Sequence, residues 1–210
     1  MAQKNRKRIV SIGEVLWDVF EDKKRLGGSP LNFAIHCAQF GHDARIVSRV
    51  GDDLLGRQIL SAVEQMGLAT DSIQVDSEHP TGTVDISVNL FGEPKYSVAS
   101  DAAWDHIEAT EAQHDLVREA DVVWYGTLAQ RSEVSRDAIR SMLETAMNAP
   151  RDILIVYELN LRQQYYTPQL IRESLEYCRV FKMDEDELKA VKGLFGRTDL
   201  STRDFAEELM

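Results

Sequence analysis

Three short constellations near the start of the chain carry residue types suited to holding a small polar molecule. The first is Gly27-Gly28-Ser29-Pro30-Leu31-Asn32-Phe33-Ala34. Paired glycines let a backbone approach a ligand with no Cβ in the way. Pro30 suits a first helical turn, and Asn32 in that turn offers a donor and an acceptor, the combination a hydroxyl group needs. A plain structural turn explains the same glycines. The second is Gly13-Glu14 followed by Asp18. A carboxylate there accepts hydrogen bonds from adjacent hydroxyls, and a solvated loop acid is the alternative. The third is Arg49-Val50-Gly51-Asp52-Asp53-Leu54-Leu55-Gly56, with Asp53 placed to cap the helix behind it. Capping accounts for those acids, and positioning a substrate contact is the functional alternative.

These residues need elements to position them, and the hydrophobic pattern supplies alternating ones. Residues 8–16 read as a β-rich run. Leu31, Ala34, Ile35 and Ala38 recur at helical spacing, and Gly41 follows where a helix stops. Residues 44–50 read as a strand, and Leu55, Ile59, Ala62, Val63 and Met66 mark a second helix that ends at Gly67. Residues 81–90 alternate with period two and residues 93–99 form a partner run, with a turn at Phe91-Gly92-Glu93-Pro94. The β-α alternation then resumes. Strands are expected at 121–126, 152–159 and 179–183. Ile139, Met142, Leu143 and Ala146 give a helix face, and further helices are expected at 168–177, at 184–194 and from Ser201 onward. Such alternation implies a parallel sheet with helices on both faces, and the inserted hairpin implies a small sheet beside it. Sheets of this kind bind ligands at the carboxyl ends of their strands. The polar residues to inspect there are those at 14–18, 49–53, 126–127, 160–162 and 184–187.

Composition narrows the partners. The chain of 210 residues suits one domain, is 43% hydrophobic and carries 35 acidic against 24 basic residues, a net charge of −11. That balance argues against nucleic acid, which needs clustered Lys and Arg. The basic run at 4–8 reads as a solvated lead-in to the first strand, with a localisation signal as the alternative. No apolar run reaches the roughly 18 residues a membrane helix needs, and no signal-peptide core is evident. Cys37 and Cys178 lack metal-ligand spacing and read as reduced thiols of a cytoplasmic protein. The five histidines are scattered and read as surface or hydrogen-bonded groups. The absence of G-x-G-x-x-G after the first strand argues against a generic dinucleotide-binding enzyme.

Taken in order, G-E-x-x-x-D at 13–18, G-G-x-P-x-N-x-A at 27–34, V-G-D-D-x-x-G at 50–56 and the hairpin resemble the N-terminal half of the PfkB, or ribokinase-like, carbohydrate kinases. Glu158-Leu159-Asn160-Leu161-Arg162 looks like that family's D-x-N-x-R strand end, and Asp184-Glu185-Asp186-Glu187 like its N-x-x-E element. Ala103-Trp104-Asp105 leans toward the fructokinase-like branch. The resemblance implies a three-layer α/β/α sandwich with a small β lid, built from elements near 17–26 and 81–99. It implies ATP-dependent phosphorylation of a sugar hydroxyl, with a fructose-like hexose favoured. Asp18, Gly27, Gly28, Asn32, Asn160 and Arg162 would bind the sugar, and Arg162 would also stabilise the phosphoryl group. Asp184 and Glu187 would serve the nucleotide, with Glu187 ordering Mg²⁺ through water. A homodimer through the lid is compatible with exposed hairpin edges.

Two positions depart from the family pattern. Glu158 stands where Asp is usual, which can shift a carboxylate by about an ångström and cost on the order of 10²-fold in rate. Asp184 stands where Asn is usual and adds negative charge near phosphates. The family's base belongs to a late G-A-G-D motif, which the 210 residues do not contain. The sequence therefore reads as an incomplete domain, residues 1–210, with sugar site and lid but without the base. A non-catalytic sugar-binding or interaction module derived from a kinase is the alternative.

Overall fold

The computed structural model describes residues 6–88 and 94–209. The main sheet has six parallel strands in the order β10-β9-β8-β1-β4-β5. These are β1 (Arg8–Ile12), β4 (Asp43–Gly51), β5 (Ile73–Asp76), β8 (Val122–Gly126), β9 (Leu154–Glu158) and β10 (Val180–Lys182). β1 lies at the centre, with Ile12 opposite Val47 of β4 on one side and Tyr125 of β8 on the other. Both faces of this sheet are covered, which is why its central strands are apolar with little alternation.

Side-chain alternation sorts the core into two layers. On one face Ile9, Ala44, Ile46 and Val50 meet Leu31 and Ala34 of α1 (Ser29–Gln39) and Ile59 and Val63 of α2 (Leu54–Gln65). On the other face Val10, Ile12, Val47, Val123, Tyr125, Ile155 and Tyr157 meet a larger set of helices. These are α3 (Glu111–Arg118), α4 (Glu133–Met147), α5 (Pro168–Leu175), α6 (Glu185–Leu194) and α7 (Thr202–Leu209). No helix among the described residues is long and apolar enough to cross a membrane.

A second sheet of four strands stands beside the first, in the order β3-β2-β6-β7. It consists of β2 (Leu16–Val19), β3 (Lys24–Gly27), β6 (Thr83–Val88) and β7 (Pro94–Val98). β2 runs parallel to β6, and the two outer pairs are antiparallel. The sheet is anchored from below. The Trp17 backbone N–H donates to Gly82 O at 3.0 Å, and its indole N–H donates to Leu55 O at 3.1 Å. Fully buried Trp104 lies at the hairpin's root, in a short 3-10 turn, with the Arg131 guanidinium 4.1 Å from its ring. Arg131 also pairs with Asp105 through two contacts of 2.8 and 2.7 Å and donates to Ala99 O at 2.5 Å.

Several expectations need adjusting. The single strand expected at 8–16 is two: β1 stops at Ile12, and Leu16 opens β2 in the other sheet. Gly13 makes the break at φ +147°, where a Cβ would lie 2.7 Å from Pro30. β5 and α3 have no counterpart in the pattern reading. α3 is short, and one of its two buried residues is the polar Gln113, so its apolar stripe is faint. The expected strand at 81–90 is present as β6 (Thr83–Val88), while its last two residues, 89–90, and the turn residues 91–93 lie outside the described residues. The N-cap expected of Asp53 is present, with Oδ1 accepting from Gly56 N at 2.7 Å. Asp53 also accepts from the Thr81 hydroxyl and backbone, both at 2.8 Å, which ties the start of α2 to the root of the hairpin.

Candidate functional site

A cleft of about 650 Å³ opens between the two sheets, at the carboxyl ends of β1 and β9. Its floor begins where β1 ends. Glu14 is only 2% exposed, and its Oε2 has no hydrogen-bond partner among the described residues. Burial pushes its carboxyl up to about 7, opposed by the backbone N–H groups of Glu14 and Ser29 and by the charge of Arg162. An acid of this kind is half protonated near neutrality and is free to accept from a ligand hydroxyl.

α1 begins against this floor. Gly28 precedes it at φ +109°, and a Cβ there would stand 2.3 Å from the Glu14 carbonyl oxygen. Only glycine meets both demands. Pro30 at the helix start leaves Asn32 in the first turn, facing the cleft. Asp18, on β2, lines the opposite side. Burial lifts its carboxyl above the usual range, and Arg162 pulls it back. Gly27 does not line the cleft, but its Cα packs so near Asp18 that a Cβ would lie 2.6 Å from Oδ2. Val84, Ile86, Val98, Leu16 and Leu128 supply an apolar wall. Polar groups converging on a partly apolar cavity suit a small ligand with hydroxyls on one face and C–H on the other.

The third side is the loop after β9. Asn160, Arg162 and Gln163 all line the cleft. Asn160 and Gln163 have positive φ, +43° and +49°, conformations that hold only where neighbours enforce them. Gln163 Nε2 donates to Tyr96 O at 2.7 Å, joining this loop to β7 across the cleft. Glu187 Oε1 accepts from Leu161 N at 2.7 Å, and its Oε2 accepts from Asp184 N at 2.9 Å. Asp184 in turn caps α6, accepting from Asp186 N and Glu187 N. Asp184 and Glu187 therefore lie behind the loop rather than in the cleft. The extra charge at 184 faces the helix N-terminus, which favours it.

Of the residues expected to bind a ligand, Asp18, Gly28, Asn32, Asn160 and Arg162 meet in one cleft. Gly27 supports it from outside, and Asp184 and Glu187 stand at its back. Glu158, the other departure, accepts from Ser29 Oγ at 2.6 Å through Oε2 and pairs with Lys182 through Oε1. Its extra methylene reaches these two partners and does not leave the carboxylate adrift. Sequence reasoning did not single out Arg25, Tyr96 or Gln163, which also line the cleft. They lie on β3, on β7 and in the loop, where periodicity says little about direction.

A parallel α/β sandwich with a small second sheet beside a polar cleft at the strand ends is a frame used by a class of small-molecule enzymes. Comparison with known proteins narrows the class. The sequence matches the pfkB family carbohydrate kinases over residues 3–208, so the chain belongs to that family. It is 25% identical over 198 residues to a putative sugar kinase of Pyrococcus horikoshii, covering 86% of this chain and 62% of that protein. It is 26% identical to fructokinase-1 of Zea mays, covering 90% of this chain and 64% of the relative. The fold superposes on a fructokinase with bound ATP from Xylella fastidiosa with a TM-score of 0.84 at 18% identity, covering 97% of this chain and 68% of that one. The chain thus spans about six-tenths of the length of these curated relatives.

Proposed function

We propose that this chain carries the sugar site and lid of an ATP-dependent carbohydrate kinase whose acceptor is a fructose-like hexose. The observation that carries the reading is the convergence of Glu14, Asp18, Asn32, Asn160 and Arg162 on one cleft between the sheets. Glu14 and Asp18 accept from sugar hydroxyls, and the amides of Asn32 and Asn160 bond in either sense. The apolar wall takes the sugar's C–H face. The second sheet closes over the sugar and keeps water from competing with it for the phosphoryl group. Relatives named fructokinases on the sequence side and on the structural side support the hexose.

ATP is the phosphoryl donor in this reading, as the family and an ATP-bound structural neighbour suggest. Arg162 is the cation that meets the transferring group. The fit to Mg²⁺ is indirect. Both oxygens of Glu187 already accept backbone N–H groups, which leaves one lone pair each to accept from a water of the ion's shell. Mg²⁺, when bound, would supply neutralisation of the charge on the nucleotide phosphates. The base is expected from a G-A-G-D segment outside these 210 residues. The outer strands of the second sheet, β3 and β7, are the surfaces through which two copies would pair. A monomer by sedimentation at high concentration rejects that pairing.

The test is a hexose and pentose panel titrated calorimetrically into the chain and into Asp18→Ala, with circular dichroism confirming the fold of both. Selective hexose binding that the substitution removes supports the reading. A folded chain that binds no sugar overturns it. Binding by a chain extended through G-A-G-D without ATP turnover supports the non-catalytic sugar module.

A further inference from the structure

We propose that His79, His106 and Asp101 form a binding site for a divalent transition-metal cation such as Zn²⁺, at the root of the β6–β7 hairpin. The donor atoms of the three residues lie within 4.8 Å of one another. Asp101 Oδ1 is 2.7 Å from His106 Nε2 and 4.0 Å from His79 Nε2. The imidazoles lie face to face, with centroids 3.5 Å apart and planes 15° from parallel. None of the three lines the sugar cleft.

Two imidazoles and a carboxylate form an N₂O set that suits Zn²⁺ and its neighbours and leaves a fourth position for water. With metal–ligand bonds of about 2.0–2.1 Å, donors on a tetrahedron stand roughly 3.3 Å apart. The observed 2.7 and 4.0 Å straddle that spacing. An entering ion replaces the proton between His106 and Asp101, draws the carboxylate toward His79 and fans the stacked rings apart. The Asp101 side chain is 73% exposed and has room to make that move.

The surroundings of His79 are the second observation. The Asp76 side chain is 1% exposed, and its Oδ2 lies 3.0 Å from His79 Nδ1. Its Oδ1 accepts the backbone N–H groups of Glu78 and His79, and Arg49 Nε lies 2.7 Å from Oδ2. A carboxylate so placed accepts a hydrogen bond from His79 Nδ1–H and leaves the lone pair on Nε2, toward Asp101. This is how metal-bound imidazoles are commonly oriented.

The ligands come from two stretches of chain, the β5–β6 connection and the turn that follows β7. Asp76 ends β5, His79 leads toward β6, Asp101 follows β7, and His106 ends the 3-10 turn that holds Trp104. An ion at this point ties both ends of the hairpin to the edge of the main sheet and stiffens the sheet over the cleft. The spacing of positions 79, 101 and 106 matches no familiar ligand motif, so the cluster emerges only on folding.

The experiment titrates Zn²⁺ into the untagged chain in competition with a chromophoric chelator, and repeats it with Co²⁺, whose visible bands report tetrahedral nitrogen ligation. One saturable equivalent is expected. His106→Gln and His79→Gln weaken it by at least about 100-fold, Asp76→Asn weakens it by about 10–100-fold, and His36→Gln leaves it unchanged. Circular dichroism checks each variant. Asp76 also holds Arg49, so His106→Gln decides the question if Asp76→Asn fails to fold. No saturable equivalent in the wild type, or an equal affinity in folded His106→Gln, overturns the proposal.

Discussion

Replacing Glu14 by glutamine keeps the side chain's size and removes its ionisation. In the folded chain burial raises this carboxyl from its ordinary 4.5 to about 7. Between those values the folded state holds a proton that the unfolded chain has released. Wild-type stability therefore falls as pH rises through that window, and the loss is complete above the folded value. At about 1.4 kcal/mol per tenfold change in proton affinity, the full effect is about 3 kcal/mol, of which about 2–3 kcal/mol develops between about pH 5 and about pH 8. Urea denaturation of both proteins across that range measures it. The stability of Glu14→Gln relative to wild type should climb by that amount, while any fixed cost of the amide cancels from the slope. Other groups titrate equally in both proteins. A flat difference would mean that Glu14 is solvated or paired, and the account of the cleft floor would fail. Saturating sugar should narrow the gap at the alkaline end, because hydroxyls donating to Oε2 favour the carboxylate.

The remaining predictions concern the supports of the cleft. Asp105→Ala leaves the Arg131 guanidinium buried without its acid and should cost about 3–5 kcal/mol in urea denaturation, with the paired Asp105→Leu and Arg131→Met change recovering much of it. A loss below about 1 kcal/mol would show that Ala99 and the ring of Trp104 hold the arginine unaided. Gly28→Ala combines φ +109° with a Cβ 2.3 Å from a carbonyl oxygen. It should cost at least about 2 kcal/mol and lower the melting temperature accordingly. Gly82→Ala would place a Cβ 2.2 Å from the Trp104 indole nitrogen. Overpacking there should cost about 1–3 kcal/mol and alter tryptophan fluorescence, and an unchanged spectrum would contradict the packing.

The main sheet was legible because its strands are buried on both faces and its helices carry clear stripes. Leu31 and Ala34, or Ile139, Met142 and Leu143, cannot face water together. The second sheet was only partly legible. Lys24–Gly27 has two exposed positions among four, so its composition says little about pairing. β5 was missed because Ile73–Asp76 is too short to show a period. The cleft was half legible. Gly28 and Asn32 announce themselves through glycine and helix-start chemistry, and Asn160 and Arg162 through their place after a strand. What spacing cannot show is which acid loses its water. Glu14 and Asp18 look alike in sequence, and only the packing of Gly28 and Ser29 over Glu14 separates a buried acid from a half-buried one. The same limit hid the Glu158 contact with Ser29, which joins residues on different strands and helices.

The division of the core into two layers also has a consequence in time. The buried residues of the α1–α2 layer come from Ile9 to Ile73, with Trp124 of β8 added late as it stacks on Phe33 of α1. The opposite layer draws on positions as late as Phe205. Meanwhile β1 pairs Ile9 with Ala44 on one side but with Val122 on the other. During synthesis the first layer can condense around β1 and β4 while the partner strand β8 is still unmade, so one flank of β1 waits as an open edge. Long-range parallel pairing is the slow event in such a fold. Limited proteolysis of ribosome-stalled chains should show protection of the α1–α2 region in chains ending before Val122, and uniform cleavage of those chains would show that both layers form together.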